Sequence, residues 1–263
     1  MTEEPALIVT RDGPICTMAI NNPAKRNALN LACYLEMADA FEELSREKQV
    51  NVVVIRGTGN AAFSAGADII GMPARNAPQT EGSSRNSTTA LKAIRNYPFP
   101  TIAMLYGYTL GAGCALAMTC DIRIAAKSVQ MGIPTSRMGL VANYQSLKRF
   151  VSVLGYPTAL EIFMTGRSYQ AQECLEMGMV NHLVETDELE TYTYKMAEDL
   201  ATNAPLAMKY TKAILNNIVD NPVLDDANRK LFRQWAADAS NSDDHEEAKL
   251  AFREKRKPRF NGR

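Results

Sequence analysis

The sequence predicts an α/β fold with a largely parallel sheet, followed by a purely helical region. Up to residue 184, apolar runs typical of strands alternate with segments typical of helices, which is the pattern of chains that build parallel sheets. Beyond residue 187, four helices are expected at 189–202, 206–219, 223–240 and 245–255. We therefore expect an α/β core over residues 1–187 and a helical region over 188–263 that packs on the core or on another subunit.

The first half of the core supplies most of the predicted elements. Apolar runs at 7–9 and 15–20, joined by a turn with Gly and Pro, predict a hairpin. A helix follows with one apolar face, formed by Leu31, Leu35, Ala38, Phe41 and Leu44. The run 50–55 is almost wholly apolar, as in a strand covered on both faces. Residues 71–86 are rich in Pro, Gly, Asn and Ser, so we expect a mobile loop that is either a lid or a spacer.

Composition excludes several classes of partner. The 263 residues contain 29 Lys plus Arg and 29 Asp plus Glu, so no overall charge favours nucleic acid or an acidic membrane. No apolar run is long enough to span a bilayer, and acidic residues near the start replace the basic segment of a secretory signal. Five scattered cysteines without a CxxC pair predict buried, reduced thiols. We expect a cytoplasmic protein.

The most informative stretch covers residues 101–121. A buried strand is expected at 101–105, and the chain should enter a helix across Gly111 to Gly113. Residues 64–68 show the same pattern: the end of a strand is followed by small residues that are expected to begin a helix. Because N–H groups at a helix start lack partners, those of Ala67 and Ala112 would form an oxyanion hole if they converged. Spacing alone leaves open the alternative that each glycine turn is structural.

Four motifs together resemble the crotonase, or enoyl-CoA hydratase/isomerase, superfamily. They are Asn-Pro-x-x-x-Asn-Ala-Leu-Asn (22–30), Phe-Ser-Ala-Gly-Ala-Asp-Ile (63–69), Gly-Tyr-x-Leu-Gly-x-Gly-Cys-x-Leu-Ala-Met-x-Cys-Asp (107–121) and Ala-Phe-x-Glu-Lys-Arg-Lys-Pro (251–258). They occur in the family's order over nearly the full chain. The resemblance implies a spiral of ββα units with a C-terminal helical oligomerisation region, assembled as a homotrimer or a dimer of trimers.

The resemblance also implies the ligand. It is an acyl-CoA thioester whose carbonyl oxygen accepts hydrogen bonds from the N–H groups of Ala67 and Ala112. Coenzyme A enters as part of the substrate, and neither another cofactor nor a metal is implied. The basic tail is implied to reach coenzyme A phosphates, although a solvated helix end is an equal alternative. The residues implied to bind substrate are Ala28, Ala65, Asp68, Ile69, Gly111, Ala115, Thr135 and Lys257.

Three positions depart from the family pattern. Hydratases of the family carry glutamates at the positions of Ala115 and Thr135, and other branches carry a carboxylate at the position of Asn143. None of these three side chains is a general acid or base of the carboxylate kind. Hydration by a pair of glutamates is therefore not expected.

Decarboxylation is the family reaction that these departures impair least, because loss of carbon dioxide itself generates the enolate. Residues 181–190, 204–207 and the C-terminal motif are similar to the methylmalonyl-CoA decarboxylase branch. Arg137 is a candidate to bind a substrate carboxylate, and Tyr144 to protonate an enolate, although both also suit structural roles. Two alternatives remain: a hydratase or isomerase of an atypical, perhaps cyclic, enoyl-CoA that uses Tyr144, Asn143 or water, and a non-catalytic acyl-CoA binder.

Overall fold

A computed structural model describes residues 4–47, 49–68, 82–221 and 223–263. Its strands are β1 (Leu7–Asp12), β2 (Ile15–Ile20), β3 (Val52–Gly57), β4 (Ala62–Ser64), β5 (Thr101–Leu105), β6 (Tyr108–Leu110), β7 (Ile122–Ala126), β8 (Gln130–Gly132), β9 (Ser168–Gln170) and β10 (His182–Val184). Its helices are α1 (Leu31–Glu47), α2 (Gly82–Asn96), α3 (Ala112–Thr119), α4 (Tyr144–Leu154), α5 (Tyr156–Thr165), α6 (Ala171–Glu176), α7 (Leu189–Ala201), α8 (Pro205–Asp220), α9 (Asp226–Ser240) and α10 (Asp243–Glu254).

The strands form two sheets that the chain visits in turn. One sheet has the order β1-β2-β3-β5-β7-β10, and the other has the order β4-β6-β8-β9. Strands β3, β5 and β7 pair in parallel, and so do β4, β6 and β8. The successive strand pairs β3–β4, β5–β6 and β7–β8 each put one strand in each sheet before the next helix, so this part of the chain winds as a spiral of ββα units. The predicted α/β fold with parallel sheets and a C-terminal helical region is confirmed.

The central strands of the larger sheet are buried on both faces. Alternate residues of β3 face opposite sides, with Val53 and Ile55 in the main apolar core and Val52 and Val54 in a second cluster. Helix α7 covers this second face with Leu189. The almost continuous apolar run of β3 therefore has the predicted physical cause. The predicted boundary after residue 187 marks a change in secondary structure, while α7 still packs on the sheet.

Several local predictions need correction. Residues 82–86 of the predicted loop belong to α2, and residues 71–81 lie outside the described residues. Residues 65–68 are not themselves helical, since an isolated parallel bridge joins Leu29 to Ala67, and the helix predicted to follow them lies outside the described residues. On α1, Leu31 and Leu35 are 47% and 44% exposed, whereas Phe41 and Leu44 are buried as predicted. The buried face is shifted and includes Cys33, Tyr34 and Met37.

The C-terminal helices match the predicted segments; α7 begins at the predicted residue, and the other three begin one to three residues away. Helix α9 begins at Asp226 because Asp225 accepts a hydrogen bond from the N–H of Asn228 and so caps the helix. Helix α10 begins at Asp243, after Ser242 acts as its cap. Among the helices in the described ranges, none is both long and apolar enough to cross a bilayer.

Candidate active site

Two short turns lie side by side at one edge of the smaller sheet. Strands β4 and β6 are parallel neighbours, with Ala62 opposite Tyr108 and Ser64 opposite Thr109. Parallel strands end at the same edge of a sheet, so the turn at 65–67 and the turn at 111–113 emerge together. The two turns are 46 residues apart along the chain, and the pairing of β4 with β6 brings them together.

Glycine allows the two turns to approach closely. Gly66 has φ +108°, and a Cβ atom added to it would lie 2.9 Å from the carbonyl oxygen of Leu110 and 3.5 Å from the nitrogen of Ala112. Gly111 has φ +52°, and its added Cβ would lie 3.9 Å from the Cα atom of Gly66. A side chain at residue 66 would therefore be strained and would push the turns apart.

Each turn has at least one backbone N–H that lacks an acceptor in the part of the chain that is described. In the first turn this is the N–H of Ala67, because its neighbours are occupied: Ala65 donates to Arg26 O (2.9 Å), Gly66 to Ser64 Oγ (3.2 Å) and Asp68 to Leu29 O (3.0 Å). In the second turn Gly111 donates to Gly132 O at 2.8 Å. Ala112 is the first residue of α3, so its N–H has no intrahelical partner.

Helix α3 is apolar and sits directly behind the two turns. Gly113 permits close packing, since an added Cβ would lie 2.6 Å from the Cβ of Ser64 at the end of β4. The N-terminus of a helix carries a partial positive charge, which adds to the attraction of its free N–H groups for a negative oxygen. The sequence feature of small residues after Gly111 therefore has a packing role and an electrostatic role.

Two arginines bind the opposite end of α3. Arg149 donates from Nε to Met118 O at 2.6 Å and from Nη2 to Cys120 O at 3.0 Å. Arg123 donates to the same Cys120 oxygen at 2.9 Å. Burial is the main cause that lowers the pKa of Arg149 to about 10, and the charges of Arg123 and Arg95 lower it further. Cations at this end complement the helix dipole and fix the position of α3.

The loop before α1 supports the first turn. Asn27 is buried with φ +57°, and its side-chain nitrogen donates to Ala62 O at 2.8 Å and Thr58 O at 2.9 Å. Asp68 pairs with Lys25 at 2.7 Å. Neither Asn27 nor Lys25 was predicted as a site residue. Asn27 carried a detectable signal, because an asparagine inside a turn motif is suited to a left-handed backbone.

Other predicted site residues have mixed surroundings. Ala28 is buried, and Ala115 and Thr135 are half-buried. Thr135 precedes a 3₁₀ turn at Ser136–Met138. Ile69 lies outside the described residues.

The contacts of Arg137 and Asn143 favour structural roles, whereas Tyr144 is exposed to solvent. Arg137 is exposed, and its Nε donates to Thr165 O at 3.0 Å, at the end of α5. The side chain of Asn143 caps α4 by accepting from Ser146 N at 2.9 Å. Tyr144 is 72% exposed at the first position of α4.

The predicted coenzyme A contact lies on the C-terminal tail. Lys257 is exposed, just after a tight interaction of Arg256 with Glu247 and Glu254. The contacts of the described residues do not link Lys257 to either glycine turn. Within the described ranges, no cluster of three or more His, Cys, Asp or Glu could hold a metal. That no cofactor beyond coenzyme A is needed stays a prediction.

The alternation of strands between two sheets and the paired glycine turns define a crotonase-like α/β protein. A solved enoyl-CoA hydratase/carnithine racemase from Magnetospirillum magneticum superimposes with a TM-score of 0.92 and 34% identity, covering 99% of this chain and 97% of the other. An enoyl-CoA hydratase from Bacillus anthracis gives 0.91 and 28%, covering 98% and 100%.

Sequence comparisons give the same family. Residues 10–263 match the family model for enoyl-CoA hydratase/isomerase. A short-chain-enoyl-CoA hydratase of Clostridium acetobutylicum is 30% identical over 251 residues, 95% of each chain. The 2,3-dehydroadipyl-CoA hydratase of Escherichia coli K12 is 31% identical over 260 residues, 98% of this chain and 99% of the relative. The chain belongs to the enoyl-CoA hydratase/isomerase family and is an acyl-CoA enzyme of that type.

Proposed function

We propose that the N–H groups of Ala67 and Ala112 form an oxyanion hole for the thioester carbonyl of an acyl-CoA. The observation that carries this proposal is a pair of N–H groups on adjacent turns that have no acceptor in the described part of the chain, one of them at the start of a buried helix. Two fixed donors stabilise the enolate oxygen more than the ground-state carbonyl, because the charge on that oxygen increases in the transition state.

The proposed reaction is a lyase reaction, first of all decarboxylation of a β-carboxyacyl-CoA. The C–C bond to the carboxylate breaks, its electron pair enters the thioester enolate, and a proton then adds to the α-carbon. The first step needs no general base. This fits Ala115 and Thr135, which stand where the resemblance places the two acids of the hydratases. The proton donor in the second step is Tyr144 or water.

Hydration or isomerisation of an atypical enoyl-CoA is the second candidate. It is favoured by the names of the relatives, which include hydratases of short-chain and 2,3-dehydroadipyl thioesters. Here Tyr144, Asn143 or a bound water would handle the proton. Tyr144 is open to solvent, whereas the side chain of Asn143 already caps α4. A polar role for Asn143 would therefore compete with its role in the helix.

Incubation with methylmalonyl-CoA, malonyl-CoA and crotonyl-CoA separates the candidates. Carbon dioxide release from the first two supports the lyase. Turnover of crotonyl-CoA without carbon dioxide release rejects the lyase and supports the second candidate. Binding of all three thioesters without product would identify a non-catalytic acyl-CoA binder.

Substitution of Ala112 by Pro tests the oxyanion hole. Proline removes the N–H, and it is tolerated at the first position of a helix. Loss of one such donor lowers turnover by about 10²–10³-fold. Ala112→Gly is the matched control, because it keeps the N–H and should retain most activity. Full activity in a folded Ala112→Pro variant would reject the role assigned to this donor.

We also propose a homotrimer or a dimer of trimers. Several large apolar side chains are exposed. Leu215, Ile218 and Val223 lie near the end of α8 and just after it, and Val141 lies in the loop before α4. Such exposure is typical of subunit interfaces. Sedimentation equilibrium should give a mass three or six times that of the chain, and a monomer would contradict the proposal.

Five free, buried thiols fit a reducing compartment such as the predicted cytoplasm.

A further inference from the structure

A cleft of ≈ 320 Å³ lies between α2, α4 and α8. It reaches Thr119 at the C-terminal end of α3 and Asn143 at the start of α4. Asn143 is also a candidate residue of the proposed acyl-CoA site. The cleft therefore shares a wall residue with that site, although its chemistry is different.

The wall of the cleft is strongly cationic. Lys92, Arg95, Lys148 and Arg149 line it together with one carboxylate, Asp220, which leaves an excess of three positive charges among its described residues. Asp220 is shared by two of these cations, with Arg95 at 3.1 Å and Lys148 at 2.9 Å. Burial opposes the charge of Asp220, but the hydrogen bond from Lys148 and the charge of Arg95 outweigh it and lower the pKa.

Two of the cations have unused donors. Arg149 uses Nε and Nη2 to bind α3, and its Nη1 has no partner among the described residues and is not among their buried unsatisfied atoms. Lys92 is exposed and forms no ion pair within the described ranges. A guanidinium with a free Nη1 group and an ammonium that line the same cleft are suited to a carboxylate or phosphate group.

We propose that this cleft binds an oxyanion, a carboxylate or a phosphate, between Lys92 and Arg149, with Arg95 and Lys148 contributing their charge. Asp220 competes for the same cations and weakens the site. The oxyanion is either free in solution or the far end of the acyl group of a dicarboxylic acyl-CoA. The second source rests on the proposed function, and the first does not.

Calorimetric titration with inorganic phosphate and with hexanedioate, at low ionic strength, tests the site itself. Each contact between charged groups is worth about 1 kcal/mol at a partly exposed site, so Lys92→Gln should weaken binding about fivefold. Asp220→Asn should strengthen binding by a similar factor, because it frees Arg95 and Lys148. Lys230→Gln, an exposed lysine on α9, is the matched control and should change nothing.

The source of the oxyanion is decided by two coenzyme A thioesters, of hexanedioic and hexanoic acid. If the oxyanion is carried by the acyl group, the hexanedioyl thioester binds more tightly and loses this advantage in Lys92→Gln. If it comes from solution, both thioesters bind equally while phosphate still binds the cleft. No binding of either free anion, or the same change in Lys230→Gln, overturns the oxyanion site. Failure to bind hexanoyl-CoA counts against the proposed function alone.

Discussion

Replacing Gly66 by alanine should separate the two turns of the candidate active site. At φ +108° an alanine costs about 1–3 kcal/mol in backbone strain. Its Cβ would also lie 2.9 Å from Leu110 O, so one turn must move by several tenths of an ångström. The N–H of Ala67 follows the residue that moves. Stability and ligand geometry should therefore both suffer.

Gly13 offers the matched control for this substitution. It also has a positive φ, +53°, but an added Cβ meets nothing within 4 Å. Gly13→Ala should cost only the strain of the left-handed region, about 1–2 kcal/mol. Urea denaturation measures both free energies of unfolding, and we expect Gly66→Ala to lose more, by about 1–2 kcal/mol.

Binding separates the local effect of Gly66 from a general loss of stability. Titration with an acyl-CoA thioester should show about tenfold weaker binding for Gly66→Ala, because one well-placed hydrogen bond is worth about 1.4 kcal/mol. Gly13→Ala should bind like the parent protein. Equal unfolding free energies in the two variants, together with unchanged binding, would refute the claim that close approach at Gly66 organises this site.

Two further predictions concern the attachment of the C-terminal region. Lys212 donates to Asp121 at 2.6 Å in a largely buried pair. Lys212→Met leaves the carboxylate without this partner and should lower the free energy of unfolding, measured in urea, by about 3 kcal/mol. The double variant with Asp121→Asn should recover part of this loss. Hydrogen bonds from Arg256 and from the backbone of Arg259 lower the pKa of Glu247 from 4.5 to about 2. Because folding depresses that pKa, the attachment of the tail should be intact above pH 4.5 and lost as pH falls toward 2. Exchange of the Arg259 amide hydrogen measures this loss. In Glu247→Gln the pH dependence should disappear.

The architecture could be predicted from patterns that follow directly from burial. Strand β3 is covered on both faces, so its apolar run appears without interruption in the sequence. Helix α3 follows a glycine turn and begins with the small residues Ala112, Gly113 and Cys114, because it packs against the end of β4 at Gly113. In both cases the local sequence carries the constraint that the tertiary structure imposes.

The elements that were missed lack such a local signature. Helix α2 begins in a Gly- and Ser-rich segment, and its stability comes from packing of Ala90 and Ile94 against the core, which the composition of 71–86 does not reveal. The shifted face of α1 has a similar cause, because the core selects Cys33 and Met37 over the more apolar Leu31 and Leu35. Tertiary packing overrides the simple period in both helices.

The site shows the same division between local and distant information. The glycines of both turns are visible in the sequence, but their adjacency depends on the pairing of β4 with β6. Arg149 could not be assigned from sequence, since a lysine or arginine on an amphipathic helix is usually solvated. In the structure it binds two carbonyls at the end of α3 while its remaining donor group is left for the cationic cleft.

Helix α3 therefore connects two anion-attracting features through its opposite ends. Its first N–H, at the paired turns, has no acceptor among the described residues, and the carbonyls of Met118 and Cys120 at its other end accept hydrogen bonds from Arg149 and Arg123. A helix of eight residues is about 12 Å long, so the two features lie about that far apart along α3. The Arg149 guanidinium would contact a bound oxyanion through Nη1 while Nε and Nη2 stay bonded to the carbonyls of Met118 and Cys120. Arg149 therefore belongs to both features, because it binds the C-terminal end of α3 and lines the proposed cleft.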